Sequence, residues 1–482
     1  MKINRSVYLC LLLWVWLMIP TTGNCRNGLD THPSVSILPE IIDSVLDRSV
    51  RQYRLLSQNL KPDEWPRTWD KNRLHTVDAY GWISGFYPGT LAYLFEYASD
   101  SLLWGELQDR LKKMEKLQTF TGHHDLGFMM YCSFGNAYRL TGNPHYERVL
   151  IQSAKSLASR FDQRVGSIKS WDQAKSLDGT HMLTFPVIID NLMNLELLFF
   201  ASKVTGDPCY KNIAVKHAET TRKNHVRSDF SSYHVVDYDS ITGEVKSRET
   251  QQGFADNSTW SRGQAWGIYG FTMVYRETKN PSFLEVAREM ADFFLDHPNL
   301  PEDKIPYWDF NAGQLGYTPS WNYDPGKYPE VPRDVSAAAI TASALLELSG
   351  LLDVETGKKY LKAAEDMLSS MISSSYLADE GTNGGFILQH ASGGVPGNHE
   401  VDVPLSYADY YFIEALMRLK NRIEEYRKPL GLSQHRGGLI PAFTFSMIIN
   451  PILLKKLNRL SGQNYHSSKR HRRTYSKRIE RN

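Results

Sequence analysis

Cysteine is scarce in this sequence, with four in 482 residues. Cys10 falls in an apolar N-terminal stretch, and the other three, Cys25, Cys132 and Cys209, are an odd set without paired spacing. That excludes a small disulfide-stapled scaffold. A spaced metal-ligand pattern such as HExxH is missing, as are the signatures of a nucleotide loop or an activated nucleophile. Charge of one sign is not in excess either, since the formal net charge is +2. Even that excess is local. Lys455 to Asn482 carries ten Lys or Arg against one acid, Glu480, which leaves about −7 for everything before it. A mildly acidic body argues against nucleic acid as a partner. Strand-like alternation is confined to short pieces such as YHVVDYD, around 233–239, so helices must build the fold.

Long apolar runs are few. The N-terminus MKINRSVYLCLLLWVWLMIPTTGNC has a charged start at Lys2 and Arg5, an apolar core from Val7 to Ile19 and small residues from Pro20 to Asn24. This is the pattern of a secretory signal peptide over 1–24, and its core is short for a membrane span. Cys25 invites a lipoprotein reading, against which Asn24 counts, because a small residue usually precedes the lipidated cysteine. Export without disulfides points to a bacterial periplasm, and the sequon at Asn257 is then incidental. Near the other end, Leu439 to Leu454 is apolar but interrupted by Pro441 and Pro451, and a basic segment follows. Residues 428–482 therefore read as a disordered extension with no assigned role.

What the sequence does have is a repeated phrase. YRLTGNPHYERVL, SKVTGDPCYKNIAV, YRETKNPSFLEVA and LLDVETGKKYLKAA each end an apolar helix in a turn and start an amphipathic one. Each unit is an αα-hairpin with a buried first helix and a second helix charged on one side. Buried helices are expected near 86–98, 127–140, 185–203, 263–277, 333–350 and 406–419. Outer ones are expected near 37–60, 103–118, 145–161, 208–223, 281–296 and 356–374. Six of each predict an all-α fold, an (α/α)6 barrel, as one domain over 35–427. The inserts 164–184, 224–261 and 297–332 hold many Trp, Tyr, Asp and Gly and are expected at one rim.

Two acids stand at the mouths of buried helices. Asp190 interrupts the apolar run FPVIIDNL, and Asp125 follows His123 and His124 in TGHHDLGF. An ionised carboxylate without a partner is costly to bury, so such a group is paired, protonated or functional. A bland alternative exists for each: Asp190 as a loop-binding carboxylate and Asp125 as a helix N-cap. Facing each other, the two would suit carboxylate acid/base chemistry on a sugar. Trp82, Trp171, Trp260 and Trp266 crowd the same rims, with Arg262 and Gln264 between the last two. Indole faces stack on sugars and Arg grips carboxylates with two prongs, although a Trp in a buried helix is commonly plain core.

HHDLGF, FPVIIDNL, YHVVDYDSITGEV, QQGFADNSTWSRGQAWGIYGF and YADYYFIEAL, in this order, resemble the unsaturated glucuronyl hydrolases over about 75–420. The resemblance implies the same (α/α)6 barrel. It also implies removal of a non-reducing-end 4,5-unsaturated uronic acid from lyase-generated, glycosaminoglycan-derived oligosaccharides, by hydration of the C4=C5 bond and without a metal or cofactor. By the same resemblance Asp190 is the acid/base and Asp125 its partner carboxylate. His124 and His234 are polar contacts, Gln252 and Arg262 orient the uronate, and the four tryptophans wall the subsite. Family members that prefer sulfated fragments carry a Ser-x-x-Ser-x-Lys loop. Here HASGGVPGNHEVD offers Ser392 as the first serine, while Val395 and Gly397 replace the second serine and the lysine. The alternatives are an unsaturated rhamnogalacturonyl hydrolase acting on pectin fragments, a sugar isomerase or epimerase on the same fold, and a silent oligosaccharide-binding protein. The exact linkage and the oligomeric state are not written in the sequence.

Overall fold

A computed structural model describes residues 37–427. The predicted leader 1–24, Cys25 and the extension 428–482 lie outside the described residues. The inner ring consists of Phe86–Ala98, the stretches 127–141 and 189–205, Ser261–Thr278, Val335–Leu351 and Ser406–Arg427. Alternating with these, the outer ring is Pro39–Asn59, Ser101–Met114, Pro144–Ala158, Pro208–Asn224, Pro281–Asp296 and Val354–Ile372. Six inner and six outer segments form an (α/α)6 barrel. The ring closes where the first outer helix meets the last inner one: Lys420 Nζ reaches Asp43 at 2.7 Å and the Tyr53 hydroxyl donates to Asp409 at 3.3 Å. Among the described residues no helix is long and apolar enough to cross a membrane.

The repeated phrase has a local explanation. Gly142 and Gly206 end inner helices in the left-handed conformation, at φ 62° and 73°, which L-residues with a Cβ adopt at a cost. Asn143, Asp207 and Asn280 then cap the next helix, each accepting a hydrogen bond from the backbone N–H two residues on. Pro144, Pro208 and Pro281 occupy the first turn, where no N–H is needed. The fourth phrase is phased differently. Asp353 caps the outer helix, which starts at Val354, so the Thr-Gly pair lies inside it. Inner helices are apolar all round because both faces are covered: Val335–Leu351 is buried at nearly every position.

Three departures from the predicted elements matter for the site. The helix expected from 185 begins as a strand, Pro186–Ile188, continues as 3-10 turns over Ile189–Asn194 and becomes α-helical only at Leu195. That strand pairs antiparallel with Val235–Tyr238, which pairs with Val245–Glu249, in a three-stranded sheet. Second, Gly127–Gly135 is a π-helix rather than α, and α-helix resumes over Asn136–Thr141. Third, hairpins form over 65–77 and 391–403, the latter where the sequence had suggested a loop.

Chain direction reverses at every hairpin, so the six inner segments all begin at one rim. Gly127 is one of the points where two of them approach closely. A Cβ there would overlap Asn194 Cα and lie 2.7 Å from Asn194 Oδ1. Gly127→Ala is therefore expected to destabilise the fold by about 1–3 kcal/mol through overpacking, read as a lower urea midpoint. An unchanged midpoint would show that the Asn194 turn gives way freely.

Candidate active site

The three-stranded sheet sets the position of Asp190. Ile188 pairs with Val235, and the Ile189 N–H donates to the His234 carbonyl at 3.0 Å. Residue 190 thus emerges beside residue 234, although 44 positions separate them in sequence. The backbone N–H groups of Gln251 and Gln252 donate to His234 Nδ1 at 3.0 and 3.3 Å. An Nδ1 that accepts fixes the neutral tautomer with its proton on Nε2. Burial, reinforced by the Arg262 charge, holds the His234 pKa well below its ordinary value. Nε2 faces Asp190 Oδ2 at 3.9 Å, and neither atom has a hydrogen-bond partner.

Burial raises the Asp190 pKa to about 7; the Arg262 charge opposes that rise and the Asp125 charge adds to it. Asp125 goes the other way. Burial pushes it up, but the imidazoles of His124 and His123 outweigh that and bring it below its ordinary value. His123 Nδ1 lies 3.1 Å from Asp125 Oδ2, and His124 Nε2 lies 3.3 Å from Oδ1. Burial keeps His124 neutral, with a pKa of about 4. His123 is raised despite its burial, through its hydrogen bond to Asp125 and the charge of that carboxylate. The Asn194 carbonyl oxygen accepts from the Phe128 N–H at 2.9 Å, and its amide faces His124 Nδ1 at 3.5 Å. Near neutral pH the site therefore holds one protonated and one ionised carboxyl, the division of roles that acid/base chemistry requires.

Several predicted contacts have other duties. Arg262 is fully buried, and its four terminal N–H groups are taken by Asp334 Oδ2 at 2.6 Å, the Ser392 and Gly393 carbonyls at 2.5 and 2.7 Å, and Gln252 Oε1 at 2.7 Å. It is a clamp, with no free prong for a carboxylate. Gln252, oriented by that clamp, faces the cavity described below. Ser392 turns inward, its hydroxyl donating to the Arg333 carbonyl at 2.8 Å. Trp260 packs against His234, ring centroids 4.4 Å apart and the planes tilted by 41°, with the Arg262 guanidinium 4.6 Å above its ring. Trp266 is core, wedged between Phe128 and Tyr411. Only Trp82 and Trp171 of the four tryptophans stay half-exposed.

Trp82 and Trp171 line a cavity of ≈380 Å³ together with Gln252, Tyr407, Arg67 and Glu400. Tyr407, Asp334, Asn194 and the Arg67–Glu400 pair were not singled out from the sequence. Asp334 had a local signal, since it caps the helix that follows by accepting from the Ser336 N–H at 3.1 Å. A larger cavity of ≈580 Å³ lies toward the other end of the inner helices, but many of its ionisable groups are bonded to one another, for example Arg139 to Glu96 at 2.7 Å and Arg418 to Glu347 at 2.9 Å. The smaller cavity is the one beside the unpaired polar atoms. Among the described residues, no three His, Cys, Asp or Glu are grouped to hold a metal ion.

The model of Glycosyl Hydrolase Family 88 matches residues 58–421. An unsaturated glucuronyl hydrolase of Formosa agariphila is 44% identical over 423 residues, 87% of this chain and 99% of that protein. An unsaturated chondroitin disaccharide hydrolase of Streptococcus pyogenes serotype M1 is 31% identical over 79% of this chain and 91% of its own. Among solved structures, an unsaturated glucuronyl hydrolase specific for heparin matches with a TM-score of 0.73 and 43% identity, covering 80% of this chain and 98% of that one.

Two stability measurements test the site's electrostatics. The folded pKa of Asp190, about 7, lies above its ordinary 3.8. Between those values the unfolded chain binds fewer protons than the folded one, so this group makes stability fall as pH rises. Asp190→Asn should then be more stable than the native protein by an amount that grows from pH 4 to 7 and levels off at roughly 2–4 kcal/mol. Equal urea midpoints at pH 8 would contradict this. Arg262→Ala leaves Asp334 buried without its partner and should cost about 3–5 kcal/mol. A weaker Michaelis constant with unchanged stability would instead restore Arg262 as a direct substrate ligand.

Proposed function

Because the chain belongs to Glycosyl Hydrolase Family 88, we propose that this glycosidase removes an unsaturated uronic acid from the non-reducing end of lyase-cut glycosaminoglycan fragments by hydrating the C4=C5 double bond. The carrying observation is the pair of opposed carboxyls, Asp190 held protonated to about pH 7 and Asp125 held ionised. The names of the relatives support the substrate class, one reading unsaturated glucuronyl hydrolase and another unsaturated chondroitin disaccharide hydrolase.

Asp190, as the acid, gives its proton to C4. The positive charge that develops at C5 and the ring oxygen is countered by the new Asp190 carboxylate and by Asp125. Water then bonds to C5 and passes a proton to Asp190, which restores the acid. The product is a hemiketal at C5. It opens by breaking the C5–ring-oxygen bond, which leaves a C5 ketone and a hemiacetal at C1; collapse of the hemiacetal releases the rest of the chain. One water is consumed and no covalent enzyme intermediate forms. His234 offers its Nε2–H beside the reacting carbons, Gln252 offers its amide N–H to the uronate, and Trp82 and Trp171 supply apolar faces to the sugars. The leader pattern at 1–24 supports export of the enzyme, most simply to a bacterial periplasm.

The test is turnover of unsaturated disaccharides, followed by loss of the near-ultraviolet absorbance of the conjugated double bond. In deuterated water the released sugar should carry one deuterium at C4, seen by NMR; cleavage without it would indicate direct displacement at C1. Asp190→Asn should lower kcat/KM by about 100- to 10,000-fold. In the native enzyme kcat/KM should fall as pH rises through about 7, where Asp190 loses its proton.

A further inference from the structure

The cavity wall contains three potential cations, and two of them are already balanced. Arg67 Nε and Nη2 grip Glu400 at 2.6 and 3.0 Å. His399 Nδ1 lies 3.3 Å from the same carboxylate. Glu400, though buried, is pulled down to about 2 by these two neighbours. The third is Lys175. It is exposed and, among the described residues, has no carboxylate in ion-pair range. The acids nearest to it in sequence are engaged elsewhere. Asp172 takes Arg160 at 2.9 Å, and Asp178 accepts from the Ser176 and Thr180 hydroxyls and the Thr180 N–H. Lys175 is thus an uncompensated positive charge on the cavity wall.

Its main chain is held in register with the catalytic groups. Ala174–Lys175 pairs with Met182–Leu183 in a short hairpin. Gln251 Nε2 donates to the Lys175 carbonyl at 2.7 Å, and the backbone N–H of the same Gln251 donates to His234 Nδ1 at 3.0 Å. Two hydrogen bonds therefore separate the Lys175 backbone from the imidazole that faces Asp190. The 391–403 hairpin offers no lysine in its place: Ser392 is turned inward, and the one imidazole it puts on the cavity wall, His399, sits against Glu400.

Resting on the reaction above, we propose that Lys175 binds an anionic substituent, a sulfate ester or a sulfamate, on the sugar that follows the unsaturated uronate. Its exposed ammonium carries three donors on a flexible stem, suited to a tetrahedral oxyanion whose position varies between fragments. Sulfate acceptance then comes from the 174–183 hairpin and not from the 391–403 hairpin.

The experiment compares matched unsaturated disaccharides that differ by one sulfate, chondroitin-type with 4-sulfate, 6-sulfate or none and heparin-type with N-sulfate or none. Native protein, Lys175→Ala and Lys175→Glu are assayed at low salt for kcat/KM. The readout is the ratio of sulfated to unsulfated kcat/KM, which cancels general damage to the fold. The ratio should fall about fivefold in Lys175→Ala for at least one sulfate position and lose its salt sensitivity there, and it should fall further in Lys175→Glu, where added salt should raise it. The position that responds identifies the group bound. An identical ratio in all three proteins at every position overturns the proposal, as does a native enzyme that rejects every sulfated substrate while turning over the unsulfated ones. Turnover of none of the disaccharides by folded native protein overturns the reaction itself.

Discussion

The buried ion pair between Arg262 and Asp334 ties the rim together. A guanidinium and a carboxylate removed from water are costly unless every donor finds an acceptor. Here the terminal N–H groups reach two carbonyls of the 391–394 strand and the Gln252 side chain as well as Asp334. One residue on the fourth inner helix thereby fixes the start of the fifth, a hairpin 130 residues away and a glutamine at the cavity wall. Its charge also reaches the chemistry. It restrains the rise in the Asp190 pKa and helps keep His234 neutral. Without a positive charge nearby, an apolar pocket would drive the carboxyl further up; with a charge in direct contact, it would ionise outright. Held on its own partners, Arg262 does neither.

The second constraint is that two carboxyls in one buried site must differ. Asp125 has two imidazoles beside it, one of which can carry a proton, whereas the imidazole that faces Asp190 is kept neutral and the Trp266 indole lowers its pKa only against a larger effect of burial. Neutrality is enforced by backbone donors to His234 Nδ1, which leave a proton only on Nε2. An imidazolium there would lower the Asp190 pKa and disable it as an acid near neutral pH. The tautomer is therefore as much a part of the acid as the carboxyl itself.

The helical scaffold was legible because its signals are local. A left-handed glycine, an Asn or Asp cap and a proline in the first turn occupy consecutive positions, so they can be read without knowing the fold. The pairing of the first two strands of the three-stranded sheet was not legible, because the strands are short and the partners Ile188 and Val235 lie 47 residues apart. The apolar run before Asp190 is continuous, a pattern that a buried strand and a buried helix share. For the same reason the presence of Asp190, Asp125 and His234 could be read from the sequence, but the duties of Arg262, Trp260, Trp266 and Ser392 could not. Aromatic and cationic side chains serve equally well as ligands or as supports. Which of the two they are depends on neighbours such as Asp334 and Gly393, which no spacing in the sequence announces.

The two ends of the barrel show what separates a functional cavity from a structural one. At the far end Glu414 accepts from the hydroxyls of Tyr93, Tyr269 and Ser343 at 3.0, 3.0 and 2.6 Å, and Glu347 takes both Arg276 and Arg418. These charges are answered within the protein and bind the inner helices to one another. At the rim the same helices present their N-terminal ends, whose partial positive charge favours an anion, and buried polar atoms that include Asp190 Oδ2 and His234 Nε2 stay without partners. Leaving them unpaired costs stability, and a uronate with a polarised double bond is the kind of group that would repay it.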